Sequence, residues 1–373
     1  MITQSLAVML FGWKQWTFAS RVAAMENLTY SFGFFSISTD LFLMANRTSD
    51  LITMIRSNYY VFDIEHYKGY SVRERKMELI KTTDTATVKG VVMIEKILRC
   101  LFVGYMTLPA VSIVFYYFQL SKIEDLRLPF IIFVPKLYPI TLTFSTIHQY
   151  LFATGLNIVY LFYSAIITIT VFKIMLLSVN NVLTEMKLFH LNFEEIDMLL
   201  EAKRERGFQE METGERIDGG LKRIMRHVVE HHKVIFRKVG ILNSGLKFRL
   251  FYFNTFSCLQ ICLSIFSFMK GELTFKIKHG IVIFGVVMNC FFICDLGQKL
   301  QDEGEQIRNN LIYGCNWLNK PNWMNKVLLF MMIQNNKLPK LGLFNVFTLN
   351  RNNLRVIVQG AYSYFNLLKN ISN

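Results

Sequence analysis

Charged residues are unevenly spaced along the chain, and the gaps between them carry the first signal. Cys100–Ser121, between Arg99 and Lys122, has no charge. Leu137–Phe172 has none either, with His148 its one ionisable group, and Leu250–Met269 lies uncharged between Arg249 and Lys270. His279–Cys294 is a shorter uncharged run between Lys278 and Asp295. A bilayer core about 30 Å thick asks for ~20 apolar residues as helix, so these four runs predict membrane spans. Three weaker runs join them: Met1–Trp13, Val22–Ala45 with Glu26 and Asp40 inside it, and Val356–Leu368 between Arg355 and Lys369. Polar residues inside a bundle face its interior or a water path, so weak hydropathy does not exclude these three. The pattern predicts seven spans, at about 1–16, 22–45, 95–118, 147–173, 250–269, 279–296 and 350–370.

The segments between spans give orientation. Asn46–Gly90 carries eight basic residues, Val179–Arg249 thirteen and Gln298–Leu341 six, whereas Gln119–Ile147 carries only Lys122, Arg127 and Lys136. Basic loops stay in the cytoplasm. The predicted fold class is therefore all-α: a polytopic membrane protein of seven transmembrane helices with long cytoplasmic helical extensions, N-terminus inside and C-terminus outside. Residues 1–178 hold spans one to four, 179–249 a cytoplasmic helical loop, and 250–297 spans five and six. Residues 298–341 form a cytoplasmic anchor region and 342–373 the last span. No basic start or small-residue cleavage site marks a signal peptide. Leu221, Ile224, Met225, Val228, Val229 and Ile235 recur at helical spacing and predict amphipathic helices continuing into the cytoplasm. Between them, GFQEMETGERIDGG (207–220), punctuated by Gly214, Gly219 and Gly220, predicts a flexible break.

Composition narrows this picture. Hydrophobic residues make up 52% and charged residues 18%, against roughly 25% charged in an average soluble domain. Mean hydropathy is +0.31. Such a chain is too apolar for intrinsic disorder, and six cysteines are too few for a disulfide scaffold of this length. The net charge of +14 follows from the basic cytoplasmic segments, so no nucleic-acid face is needed to explain it. His227 and His231 share one helical face, but the HExxH order is absent and no cysteine or carboxylate set converges on them. No nucleotide loop, nucleophile elbow or paired-carboxylate pattern occurs, so neither an enzyme nor a cofactor is expected. Cysteines 258/262 and 290/294 are each four apart on one helical face, as small packing residues in apolar helices are.

The last span differs from the others. Gln359, Ser363, Asn366 and Asn370 recur at spacings of 4, 3 and 4, and Asn352 and Arg355 extend the row. At 3.6 residues per turn they form one polar stripe. A polar stripe on a membrane helix needs partners. Either it lines a water-filled pore or it bonds to neighbouring helices, and on the residues alone the two readings stand level.

The C-terminal third also resembles the insect odorant receptor family. The residues that carry this are Cys294–Gly297, Tyr313–Trp317, Gln334–Pro339 (one residue longer than the family's run) and the terminal Ser363–Leu368. LRLPFIIFVPKLYP is similar to the family's second extracellular loop, and HHKVIFRKVGILNSGLKFRLFYFNTFSCLQIC to its approach to the fifth span. The likeness extends over about residues 20–373. Family members carry a cytoplasmic segment before span one, so that span reads as clipped here.

The resemblance implies a ligand-gated, non-selective cation channel, formed as a heterotetramer with the odorant co-receptor in the plasma membrane of sensory neurons. Its partners would be a small volatile odorant, permeating cations and membrane lipid, with no nucleic acid. The last helix would line the pore, with Gln359, Ser363 and Asn370 facing water and Leu367 and Ile371 at the apolar constriction. The odorant pocket would use the extracellular halves of spans two to six. That selects Tyr30, Phe34, Met106, Ile113 and Tyr117, and further on Tyr150, Thr154, Ile158, Phe266 and Ile283. A gustatory receptor channel is the near alternative, but its terminal helix ends Thr-Tyr then Gln-Phe, where this chain has Ser363-Tyr364 then Asn370-Ile371. A G-protein-coupled seven-helix receptor is the other. Its acidic-Arg-aromatic triplet and Asn-Pro-x-x-Tyr run are absent. The sequons at Asn370 and Asn27 would lie outside the cell and that at Asn46 inside.

Overall fold

The structure, a computed structural model, describes residues 18–62, 70–118, 146–206, 212–270, 273–314, 321–335, 341–343 and 347–372. Its helices are α1 (Phe18–Leu43), α2 (Ala45–Arg56), α3 (Tyr70–Tyr117), α4 (Ile147–Arg206), α5 (Glu212–Lys270), α6 (Leu273–Asn309), α7 (Asn322–Asn335) and α8 (Arg351–Ser372). A π-helical turn, Asn310–Gly314, follows α6 directly. Just before α8, β1 (Gly342–Leu343) pairs antiparallel with β2 (Phe347–Thr348).

Segments of α3, α4, α5 and α6 are each long and apolar enough to cross a membrane. Helices α1 and α2, bent by 75° at Met44, are apolar enough only when taken together, as a broken span or a re-entrant loop. These five correspond to predicted spans two to six. Helix α8 stands where span seven is predicted; at 22 residues it is long enough, but its polar face keeps it out of the apolar set. Span one lies outside the described residues. Large apolar side chains such as Val103, Phe152, Phe162, Ile166 and Phe284 stand exposed around the spans, the surface expected against lipid.

The largest buried cluster lies in the other half of the molecule. There α4 and α5 run on as helices of 60 and 59 residues and pack with α2, the end of α6 and α7. Val179, Met186, Phe189, Leu242, Leu300, Leu311 and Leu328 meet in this basal bundle, each at most 1% exposed. The predicted amphipathic face is the buried one: Leu221, Ile224, Met225, Val228 and Ile235 all belong to the cluster, with Val229 packed against it. Residues 207–211 of the predicted break lie outside the described residues, between α4 ending at Arg206 and α5 beginning at Glu212, and α5 runs on through Gly214, Gly219 and Gly220. A glycine costs a helix only about 1 kcal/mol, and the packed turns that follow hold the helix on.

His227 and His231 are both engaged. His227 stacks on Phe62 at 3.7 Å and pairs with the Tyr60 hydroxyl at 2.9 Å. His231 contacts Glu185 and Asn192. The five described cysteines carry free thiols.

Candidate ligand cavity and pore helix

Five helices line a partly open cavity of about 240 Å³. Each contributes one face at helical spacing. Tyr30, Gly33, Phe34 and Ile37 come from α1, and Leu98, Leu101, Phe102 and Tyr105 from α3. Leu161, Ser164, Thr168 and Phe172 come from α4, Phe253, Phe256, Ser257 and Gln260 from α5, and Ile281, Val282, Gly285 and Asn289 from α6. The walls are mostly apolar and aromatic with few polar groups, the usual make-up of a small-molecule site. Phe256 is braced by Phe32 at 5.4 Å and Tyr252 at 6.1 Å, and Phe34 meets Tyr160 edge-on at 5.5 Å. Tyr30 Oη and Ser164 Oγ share a hydrogen bond of 2.9 Å on the wall.

Two buried polar clusters bracket the cavity along α5. At one end Arg249, a lining residue, pairs through Nε with Asp40 Oδ2 at 2.6 Å and donates through Nη2 to Thr48. At the other end the Glu26 carboxylate receives hydrogen bonds from Ser264 at 2.8 Å and from Gln260 at 3.1 Å, with His279 Nδ1 at 3.0 Å. Both clusters tie α1 and its continuation to α5. Both acids are the charges that interrupt the second predicted span. Ionisable groups inside a membrane span are expensive, so they occur with partners.

Of the ten residues expected to line the pocket, Tyr30 and Phe34 do so. Met106 packs beside Tyr105 and Leu161, one layer behind the wall. Tyr150 and Thr154 are buried in the first turns of α4, outward of the lining that begins at Leu161. Ile113 is half-buried, Tyr117 is 71% exposed at the end of α3, and Ile158 faces outward. Phe266 is buried against Val22 and Leu263, and Ile283 is half-buried beside the lining residues Ile281 and Val282. The cavity sits deeper in the bundle than expected. The residues missed on this account include Tyr105, Ser164, Phe256, Gln260 and Asn289. Three of them, Ser164, Gln260 and Asn289, were signalled as polar interruptions of apolar spans.

Helix α8 buries one side and exposes the other. Asn353, Ile357 and Ala361 are buried against α5 and α6. Asn353 Nδ2 donates to Asn254 Oδ1 at 2.7 Å, and Arg351 pairs with Asp295 at 2.9 Å and bonds Gln298 through its backbone N–H at 3.2 Å. These contacts fix the start of α8 to α5 and α6. The predicted stripe lies opposite: Asn352, Arg355, Gln359, Ser363 and Asn370 are exposed and Asn366 is half-buried. Among the described residues, the stripe's one side-chain hydrogen bond stays within the helix, from Ser363 Oγ to the Gln359 carbonyl at 3.0 Å. Leu367 is 56% exposed at the stripe's edge. The Ile371 side chain lies outside the described residues.

A largely apolar cavity among long apolar helices, beside an amphipathic terminal helix, fits a polytopic membrane protein with room for a small molecule. The family described as 7tm Odorant receptor matches residues 20–362, and the chain belongs to that family, one of receptors rather than enzymes. Two solved structures share its fold. The insect olfactory receptor OR5 from Machilis hrabei in complex with eugenol aligns with a TM-score of 0.75 at 14% identity, covering 99% of this chain and 87% of that one. A second structure of OR5 from Machilis hrabei aligns with a TM-score of 0.69 at 14% identity, covering 98% of this chain and 86% of that one. No curated protein matches the chain.

Proposed function

We propose that this chain is the odorant-binding subunit of an odorant-gated, non-selective cation channel, assembled as a heterotetramer with an odorant co-receptor in the plasma membrane of sensory neurons. The observation that carries this reading is the direction of the α8 stripe. Among the described residues, Asn352, Arg355, Gln359, Ser363 and Asn370 are turned away from the neighbouring helices, and polar groups turned into hydrocarbon are costly. Helices of this kind gathered around an axis would turn their stripes to a shared water path. The stripe holds neutral amides and a hydroxyl, with Arg355 toward one end and no acidic ring, in keeping with weak ion selectivity. Leu367, and by sequence Ile371, would supply the apolar constriction that closes by dewetting.

Helix α5 supports a route from ligand to pore. Ser257 and Gln260 line the cavity, while Cys258 and Ile261 on the neighbouring face pack with Ile357 and Ala361 of α8. A ligand that shifts α5 therefore moves the surface on which α8 rests. The basal bundle would be the platform on which subunits meet.

Whole-cell recording from cells co-expressing this chain and a co-receptor tests the reading. Odorant-evoked cation current that persists with G proteins blocked is expected, and current that needs G-protein activation would overturn it. Leu367→Ala is expected to raise basal leak with surface expression unchanged, since truncating an exposed side chain leaves the fold intact. A well-expressed variant with wild-type leak and sensitivity would remove Leu367 from the gate.

A further inference from the structure

We propose that Asn289 and Thr168 read the ligand's polar function, so that the cavity prefers an apolar skeleton carrying one neutral oxygen group, hydroxyl or carbonyl, to the bare hydrocarbon. This rests on the receptor reading above and names the specificity-determining residues of the same cavity.

Both residues belong to its lining stripes, Asn289 between Val286 and Ile293 on α6 and Thr168 between Ser164 and Phe172 on α4. At 3.6 residues per turn, Asn289 is turned roughly 150° from the exposed Phe284 and Phe291, and Thr168 roughly 170° from the exposed Val159 and Ile166. Both therefore face inward. They also lie at a similar depth. Leu161 of α4 and Ile281 of α6 belong to one apolar cluster at one end of the cavity. From it both helices run on to the basal cluster, which they join at Phe172 and Ile293. Thr168 follows Leu161 by about 10 Å and Asn289 follows Ile281 by about 12 Å, at 1.5 Å per residue.

Neither side chain has a hydrogen-bond partner among the described residues. Both are half-buried, and their polar atoms keep accessible surface. Gln260 Oε1 and Arg249 Nη1, on two other lining residues, are instead sealed inside the walls, where no ligand atom meets them. A threonine in an apolar helix commonly bonds a carbonyl one turn back, as Thr170 does with Ile166 at 2.8 Å. Thr168 makes no such bond. An amide inside a membrane span is expensive and is commonly used to tie a neighbouring helix. Asn289 ties none, so its donors and its acceptor remain for the cavity's contents.

The chemistry sets the ligand class. An amide both donates and accepts, and so does a hydroxyl, so the pair serves a ligand carbonyl or a ligand hydroxyl alike. A hydrocarbon displaces water from these groups and returns no bond. An ionised ligand finds no free counter-charge on the wall, because Arg249 is already paired with Asp40. The skeleton is held on both sides of the polar level, by Phe34 and Tyr105 toward the first cluster and by Leu250 and Met175 toward the basal one.

Skeleton-matched ligands test this: limonene against carvone and carveol, p-cymene against thymol, and nonane against 5-nonanone and 5-nonanol. Two readouts are taken on the full chain: EC50 for evoked current with the co-receptor, and thermal stabilisation of the purified receptor in lipid nanodiscs. The oxygenated members are expected to be roughly tenfold more potent than their hydrocarbons. Asn289→Leu should weaken alcohols and ketones alike by about tenfold and leave the hydrocarbons unchanged or stronger. Thr168→Val, which keeps the side chain's shape, should act in the same sense by about threefold, and it carries the test if Asn289→Leu is not expressed. Equal losses for hydrocarbons and oxygenated members, an unchanged preference in both variants, or a panel in which no oxygenated member binds would overturn the proposal. The two readings fail separately. Evoked current whose preference ignores both substitutions retains the channel and refutes the assignment. A receptor stabilised in the expected pattern yet electrically silent retains the assignment and refutes the gating.

Discussion

Gly297→Ala is expected to abolish surface expression, or to leave a receptor that solubilises with a much lower apparent Tm and passes no current. A methyl group at this position would land on the backbone carbonyl oxygen of Leu349, 2.9 Å from its carbon and 3.0 Å from the Leu349 Cβ. No flexible side chain can yield there. Leu349 is itself held, 3% exposed, with its N–H bonded to the Leu341 carbonyl at 3.0 Å. The methyl must push α6 away from the residue that leads directly into α8. Overpacking a close-packed site costs typically 1–3 kcal/mol and more against rigid backbone. The displacement also falls where Arg351 and Asn353 fix α8 to its neighbours. Gly240→Ala is the matched control. It lies exposed on α5, a methyl there meets nothing within 4 Å, and the variant should gain up to about 1 kcal/mol from helix propensity. A Gly297→Ala receptor as stable and active as wild type would mean that α6 and Leu349 do not meet as described.

The same glycine shows how much of the molecule was legible in the sequence. Cys294–Gly297 could be recognised as a motif, but the reason for it is a contact with a residue fifty-two positions on, which no local pattern reveals. The α8 stripe was legible apart from the half-buried Asn366, because amphipathicity needs only spacing along one helix. The four spans in α3 to α6 were legible from missing charge. Which face of each span turns inward was not, because lipid and an apolar cavity accept the same side chains and leave no period to read. That is why Tyr117 and Ile158 looked as eligible as Phe102 and Phe256. Polar interruptions carried the missing information: Ser164, Gln260 and Asn289 have no reason to sit in apolar helices unless they face something other than lipid. Glu26 and Asp40 likewise weakened the second span as a hydropathy signal while marking the ends of the cavity. Gly219 and Gly220 misled in the opposite sense, since tertiary packing overrode a local propensity of about 1 kcal/mol each.

Glu185→Ala is expected to be among the most destabilising single changes in the basal bundle, costing about 3–5 kcal/mol. Glu185 is fully buried and acts as a hub. Its Oε1 accepts from Lys238 Nζ at 2.7 Å and its Oε2 from His231 Nε2 at 3.0 Å, while the Tyr60 backbone N–H approaches both oxygens at 3.2 and 3.3 Å. Asn192 Nδ2 donates to His231 Nδ1 at 2.8 Å, which leaves the imidazole proton on Nε2, toward Glu185. Removing the carboxylate strands three donors at once, including an ammonium with only Asn181 Oδ1, at 2.9 Å, left to receive it. Lys238→Met should cost less, because Glu185 keeps His231 and Tyr60. The double variant should cost clearly less than the sum of the two, the sign of a coupled pair. Thermal unfolding of solubilised receptor gives this order: Glu185→Ala lowest in apparent Tm, Lys238→Met above it, wild type highest. Equal and additive losses would show that the ion pair contributes no coupling. The network joins the chain after α2 to α4 and α5. Its loss should therefore appear as failed assembly and trafficking before any change in odorant tuning.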